Sequence, residues 1–388
     1  MARSFEIPRR RLLVAAAAAG GGLVSTVEPA LSAGKTLNFA DIGVGDPGGD
    51  WSPFTKPTGW KVNLIAIGNA PSAILNVMLA GGGTSTYDII NIVGGMQPPL
   101  VSNHLIDPID PAEMPNWAKD IYISEYLAEG KPGFQFIGYR GQLYGVPTVL
   151  QGDAFAYLPE KTGPLDSYAA LFDPKWRGYV ALEDNYTTAG QKTALYLKSA
   201  GLADISDPAN MSPAEIKAVV DFLIEQKKKG QFRVLWSSFE QAVDLIVRKE
   251  VYVIDCWEPM VFAAAAKGVN AVYADPKEGY LLWAMAAYLV KKRKASEAGT
   301  KASYALLNFM LGGWYGAKIT LLRGYMTNPL APIYAASHPD EFTTAEAKKI
   351  AEITANVKHK FDQGGTWQNR WPTHVDAYES EWQRFEAA

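Results

Sequence analysis

The chain holds a single cysteine, Cys256, among 388 residues. No intrachain disulfide can form, and a cysteine-rich zinc site is excluded. Histidine is almost as scarce: His104, His338, His359 and His374 are the whole set, and no two stand at ligand spacing on one helix. Neither sign of charge is in excess, with 37 Lys and Arg against 40 Asp and Glu and a formal net charge of −3. A strongly basic nucleic-acid binder is thereby excluded. Motifs of nucleophilic and phosphate chemistry are missing as well. No serine sits in a Gly-x-Ser-x-Gly elbow. Gly81-Gly82-Gly83 lacks the Gly-Lys-Ser/Thr ending of a phosphate loop and follows a helical pattern instead of opening one, so it reads as a helix stop. Cys256 with His374 is a candidate nucleophile pair, but a lone cysteine ending an apolar strand reads first as a small buried hydrophobe. Scattered carboxylates give no sign of a glycosidase pair.

What is present is a large apolar share, 48%, beside 20% charged residues, enough for a core and a solvated surface. The length predicts two or three domains, or two lobes of one fold. Aromatic residues are abundant, with 11 Trp, 19 Tyr and 15 Phe. Residues 1–33 read as a cleaved secretory signal. Arg9-Arg10-Arg11 precede an apolar run from Leu12, and small residues around Ala30, Ser32 and Ala33 end it. The run is far short of the ~20 residues that span a bilayer. Arg9-Arg10-x-Leu12-Leu13 also resembles a twin-arginine signal, and no cysteine follows to carry a lipid. Removal of this segment leaves a more acidic chain, suited to a neutral or cationic ligand.

The remainder alternates strands and helices. Thr36–Ala40, Lys61–Ile67 and the continuous apolar run Tyr87–Val93 read as strands, with helices near Trp51 and over Ser72–Ala80 between them. Parallel strands with crossover helices follow. After Gly145-Val146-Pro147, strands at Ala154–Leu158, Tyr179–Leu182 and Val251–Ile254 alternate with helices at Thr188–Ser199, Pro213–Lys229 (capped by Ser212) and Phe239–Lys249. Leu281–Val290 is the strand that returns to the first lobe, and helices follow at Ala302–Leu311, Tyr315–Leu322 and Thr344–Lys360. The architecture predicted is two α/β lobes with more than one crossover. Its expected boundaries are residues 35–145 and 285–330 for lobe 1, and 146–284 and 331–388 for lobe 2.

Aromatic and acidic residues cluster at the predicted strand ends. Asp255-Cys256-Trp257-Glu258 closes a strand, where open α/β sheets bind ligands. Trp283, Tyr325 and Trp367 lie in comparable settings. Aromatic faces beside acids are what a cage for an organic cation requires.

Seven segments carry a family likeness. Phe54-Thr-Lys-Pro-Thr-Gly59-Trp-Lys-Val62, Tyr87-Asp88-Ile89-Ile90, Gly145-Val146-Pro147 and Leu171-Phe-Asp-Pro174-Lys-Trp-Arg-Gly178 come in the first half. Pro276-Lys-Glu-Gly279, Gly324-Tyr325-x-Thr327 and Trp367-Gln368-Asn369 follow. In order and spacing the chain resembles the spermidine/putrescine type of periplasmic solute-binding proteins, the capture subunits of ABC importers. The likeness implies a type II-like, two-lobed periplasmic binding protein fold. Each lobe is a mainly parallel sheet flanked by helices, joined by a hinge with crossings near residues 145, 284 and 330. It implies a monomeric, non-enzymatic periplasmic receptor without cofactor or metal, closing on a small organic cation and delivering it to a permease and an ATPase. Trp257, Trp283, Tyr325 and Gln368 stand where that group stacks on and hydrogen-bonds a polyamine. Asp184, Asp255, Glu258 and Asp41 are the acids available as counter-charges. Asn185 and Met285 replace acids of that group, and Ala40, Asp41 and Ile42 replace its aromatic cluster after the first strand. A polyamine such as putrescine or spermidine is the first expectation. A quaternary amine, an amino-acid derivative or an opine-like solute with one charged end is the alternative. A secreted α/β hydrolase is the rival from another class.

Overall fold

The computed structural model describes residues 35–80, 82–292 and 295–388. The expected signal segment lies outside them. In the first lobe, β1 (Thr36–Asp41) pairs in parallel with β2 (Lys61–Ala66) on one side and β3 (Ile89–Val93) on the other. All five residues of β3 are buried, four of them apolar and the fifth, Asn91, hydrogen-bonded to Asp41. Helices Ser52–Thr58 and Pro71–Leu79 make the crossovers. A short hairpin, β4 (Gly138–Tyr139) with β5 (Gln142–Leu143), leads into the main spanning strand.

That strand, β6 (Gly145–Tyr157), is 13 residues long and buried throughout, so the predicted strand at Ala154 is only its far end. The second lobe adds β7 (Val180–Glu183), β8 (Phe232–Trp236), β9 (Val253–Cys256) and the short β10 (Val272–Tyr273). The return strand β11 (Tyr280–Leu289) runs antiparallel to β6 over most of its length, and β12 (Gly365–Trp367) pairs with its start. The order across the sheet is β2-β1-β3-β11-β6-β9-β7-β8. The parallel sets β1–β3 and β7–β9 therefore have opposite senses along β6. Val93, the last residue of β3, lies level with Met285 and Val149, whereas Cys256, the last of β9, is opposite Ala154. The carboxyl ends of the two sets face each other across Leu150–Asp153. Ligands of open α/β sheets bind beyond such ends, and here two sets share one gap.

Three segments cross between lobes. The spanning parts of β6 and β11 are two, and Leu150 N–H is held by Met326 carbonyl at 2.7 Å. The third differs from expectation. Ala331, Phe342, Ile350, Val357 and Phe361 pack in the core of the first lobe, so helices Leu330–Ser337 and Thr344–Gln363 belong there. Only helix Val375–Ala387, through Tyr378, Trp382 and Phe385, enters the second core. The crossing near 330 is thus displaced to β12 and the residues after it. The cause is the apolar stripe of the long helix, which fits lobe 1 and which its charged face conceals in sequence.

Candidate functional site

The gap is floored by the middle of β6 and β11. Gln151 and Trp283 are register partners there, and Asp153 is paired with Leu281. Trp283 is buried and meets Tyr325 edge-to-face at 5.4 Å. From the second lobe, Trp257 caps helix Glu258–Ala266 and stands edge-on to Trp236 at 5.5 Å. Its indole N–H donates to Glu183 Oε2 at 3.1 Å. Gln368, on the third crossing, gives Nε2 to the Thr187 carbonyl at 2.8 Å, while its backbone N–H is held by Leu282. The four residues Trp257, Trp283, Tyr325 and Gln368 therefore stand at or beside the gap.

The acids are arranged otherwise than the sequence suggests. Asp255 is buried in an ion pair with Lys192, whose ammonium also donates to the Ala154 carbonyl at 3.2 Å. Glu258 is paired with buried Lys360 at 2.7 Å and also accepts from Asn356 and Gln151. Lys360 donates further to Gln151 Oε1 and the Gly152 carbonyl, and lies 4.6 Å from the Tyr273 ring centroid. Both acids are thus spent on internal cations. Asp41 accepts from the backbone of Gly43 and Gly45 and from Asn91 Nδ2, so it fastens the glycine-rich turn after β1. Burial raises its pKa above the ordinary carboxylate value. Asp184 is turned away from the gap. Its Oδ1 takes the Trp382 indole N–H at 2.9 Å, because the side chain after a strand's last inward residue points to the opposite face.

Two acids that the sequence reading passed over stand where those were expected. Glu183, one residue before Asp184, ends β7 and is buried. Desolvation, with Asp255 adding and Lys192 opposing, pushes its pKa up to about 7. Asp153 is buried on β6, and desolvation pushes it up to about 6 against the pull of Lys192 and Lys360. Among the described residues, Asp153 Oδ1 and Trp283 Nε1 are buried without a well-formed hydrogen bond. The indole still stands near enough to favour the charged carboxylate. Tyr325, buried nearby, has its pKa raised by desolvation first and by Asp153 next. Arg370 completes the cluster, 2% exposed, with Nη1 on Thr187 Oγ1 at 3.4 Å and Nη2 on the Asn69 carbonyl. One signal could have found these groups: Glu183 and Asp153 are the charged residues of two strands that are buried throughout, which is costly unless used.

The arrangement offers aromatic faces and two carboxylates, Glu183 and Asp153, that form no ion pair among the described residues, the equipment for holding a cation. Cys256 is buried with its thiol pushed well above the usual range by desolvation. Among the described residues no group of three or more His, Cys, Asp and Glu is placed to hold a metal.

Residues 51–374 match the family model of the bacterial extracellular solute-binding proteins. The spermidine/putrescine-binding periplasmic protein 1 of Haemophilus influenzae is 25% identical over 346 residues, covering 88% of this chain and 86% of that protein. Among solved structures, the spermidine/putrescine ABC transporter substrate-binding protein of Streptococcus pneumoniae has a TM-score of 0.66 at 16% identity, covering 91% of this chain and 99% of that one. The binding protein MotA from A. tumefaciens B6, in complex with glucopine, has a TM-score of 0.64 at 17% identity and covers 90% and 99%. The chain belongs to the bacterial extracellular solute-binding protein family, and its fold is the two-lobed α/β fold of periplasmic binding proteins.

Proposed function

We propose that this family member is the capture subunit of an ABC importer and that its solute is a small organic amine, bound between the lobes with one cationic head. The observation that carries this reading is the pair of unspent acids. Glu183 is bridged to the Trp257 indole and Asp153 stands beside Trp283, and the charge of Asp153 adds to the cost of ionising Glu183. A cation between them relieves that cost and gains charge-assisted hydrogen bonds. Stacking on Trp257 or Trp283 adds about 0.5–2 kcal/mol. The acids belong to one cluster, and Asp255 and Glu258 are already neutralised by Lys192 and Lys360. One cationic end is served better than two separated ones.

A polyamine is the second reading. It is favoured by the Haemophilus influenzae relative, whose name assigns it spermidine and putrescine and which matches most of both chains. The chain would act as a monomer outside the cytoplasm, after export by its N-terminal signal, and hand the solute to a permease and an ATPase. A thermal-shift screen across diamines, triamines, betaines, amino acids, sugars and inorganic anions tests the proposal. A ligand at one hundred times its dissociation constant stabilises by about 2.7 kcal/mol. Stabilisation by amine solutes that is lost in Trp257→Ala supports the reading. Stabilisation by sugars or anions alone overturns it.

A further inference from the structure

Arg370 has no role in an amine-only site. It follows Gln368 on the third crossing and is 2% exposed where three elements meet. Nη2 donates to the carbonyl of Asn69, which follows β2 in the first lobe. Nη1 reaches Thr187 Oγ1 in the second lobe at 3.4 Å, the outer edge of hydrogen bonding. Gly95, just past the end of β3, has φ +93 and packs against it, since a Cβ there would lie 3.4 Å from the Cβ of Arg370. Its position is therefore between the facing strand ends, at the gap itself.

The guanidinium is incompletely satisfied. Nε has no hydrogen-bond partner among the described residues, and no carboxylate among them forms an ion pair with it. The other buried cations of the cluster differ: Lys192 has Asp255 and Lys360 has Glu258. Burial lowers the pKa of Arg370, and Glu183 is the foremost charge favouring its charged form. A buried cation left to neutral acceptors is costly. Nε–H is the donor left open, and Nη2 on the same edge already holds the Asn69 carbonyl and reaches Asn69 Oδ1 at 3.4 Å, so a carboxylate is received at Nε first.

We infer that the solute carries a carboxylate, received by Arg370, beside the amine received by Glu183 and Asp153. This inference deepens the proposed function and rests on its amine reading. Glu183 ends β7, and Thr187 lies four positions on, in the turn that Asn185 caps by accepting from the Thr187 N–H and hydroxyl. Acid and guanidinium thus flank a short stretch of chain. A solute joining them has its opposite charges a few bonds apart, as in an amino-acid head group. The aromatic set Trp257, Trp283 and Tyr325 is left for the remainder of the molecule. The chemical class is a zwitterionic amino acid or an N-substituted amino acid.

Matched pairs that differ only by the carboxylate test this. Arginine against agmatine, and ornithine against putrescine, are titrated calorimetrically into the purified protein, wild type and variants. The carboxylated member of at least one pair is expected to bind roughly 10-fold tighter or more, because without it a buried donor group goes unmatched. In Arg370→Gln the members of that pair should bind within about 2-fold of each other, and Arg370→Lys should keep part of the preference. Equal or tighter binding of agmatine and putrescine by the wild-type protein overturns the inference while leaving the amine reading standing, and that comparison needs no variant to fold. A preference that survives in Arg370→Gln overturns it as well. Binding of none of the four solutes overturns the inference as stated for these head groups, while the amine reading is decided by the wider thermal-shift screen.

Discussion

Lys192 and Lys360 govern which acids remain for a ligand. Each is buried in a helix and reaches across to β6 as well as to its acid. Removing one partner leaves a buried charge uncompensated, which costs about 3–5 kcal/mol. Lys360→Met should therefore lower stability in urea denaturation by that amount. Lys360→Met combined with Glu258→Gln should recover much of it. If Lys360→Met is neutral, the pair is not the structural clamp described. Glu183 gives a pH prediction. Its pKa is about 7 in the fold against an ordinary 4.5, so the folded state holds its proton more tightly. That stabilisation is complete below 4.5 and lost as pH rises through about 7, up to about 3 kcal/mol. Wild-type stability should thus fall more than that of Glu183→Gln between roughly pH 5 and pH 8. A cation, in contrast, needs the ionised carboxylate, so its affinity should rise with pH over the same range and flatten in Glu183→Gln. Equal pH profiles for the two proteins would refute the assignment. At this scale the sequence was only partly legible. The aromatic residues were readable because strand ends and segment likeness mark them. The acids were not, since a carboxylate's role depends on which face it takes and which distant lysine finds it. Glu183 and Asp184 are adjacent and point to opposite sides.

Among the elements, the long strands β6 and β11 and the capped turn after β7 matter most to the site. The turn Tyr186–Gly190 begins at Asn185, whose side chain accepts from the Thr187 N–H at 2.9 Å. Thr187 in turn holds Gln368 and Arg370. Asn185→Ala should cost about 0.5–2 kcal/mol in denaturant unfolding, as capping losses do. It should also weaken solute binding, with its effect on Gln368 and Arg370 already included. An affinity equal to wild type would show that the turn does not position those side chains. Strong local patterns made many elements readable. β3 is apolar at every position but Asn91, and helix Pro213–Lys228 opens with a capping box between Ser212 and Glu215. Others were hidden for physical reasons. Helix Glu258–Ala266 is apolar almost all round and shows no periodicity, and Pro259 reads as a breaker although it is tolerated in a first helical turn. β8 was obscured by Arg233 and by its mixed exposure.

For the whole molecule, the facing of two parallel sets across a shared antiparallel pair accounts for the gap between lobes in which the solute is proposed to bind. The two-lobed plan was legible because α and β patterns alternate in both halves. The third crossing was not, because the stripe of Ile350, Val357 and Phe361 does not say which lobe it will cover. Lobes joined by three narrow crossings can rotate as bodies. Small-angle scattering should show a smaller radius of gyration with saturating solute, and an unchanged curve at proven saturation would contradict closure. The central claim, an amine held between Glu183 and Asp153, is tested most directly by calorimetry. The tightest solute of the thermal-shift screen is titrated into wild type and into Glu183→Gln combined with Asp153→Asn, both first shown to be folded. Loss of both carboxylates should weaken binding roughly 100-fold or more, the scale of two charge-assisted contacts. Affinity within about 2-fold of wild type would contradict the claim.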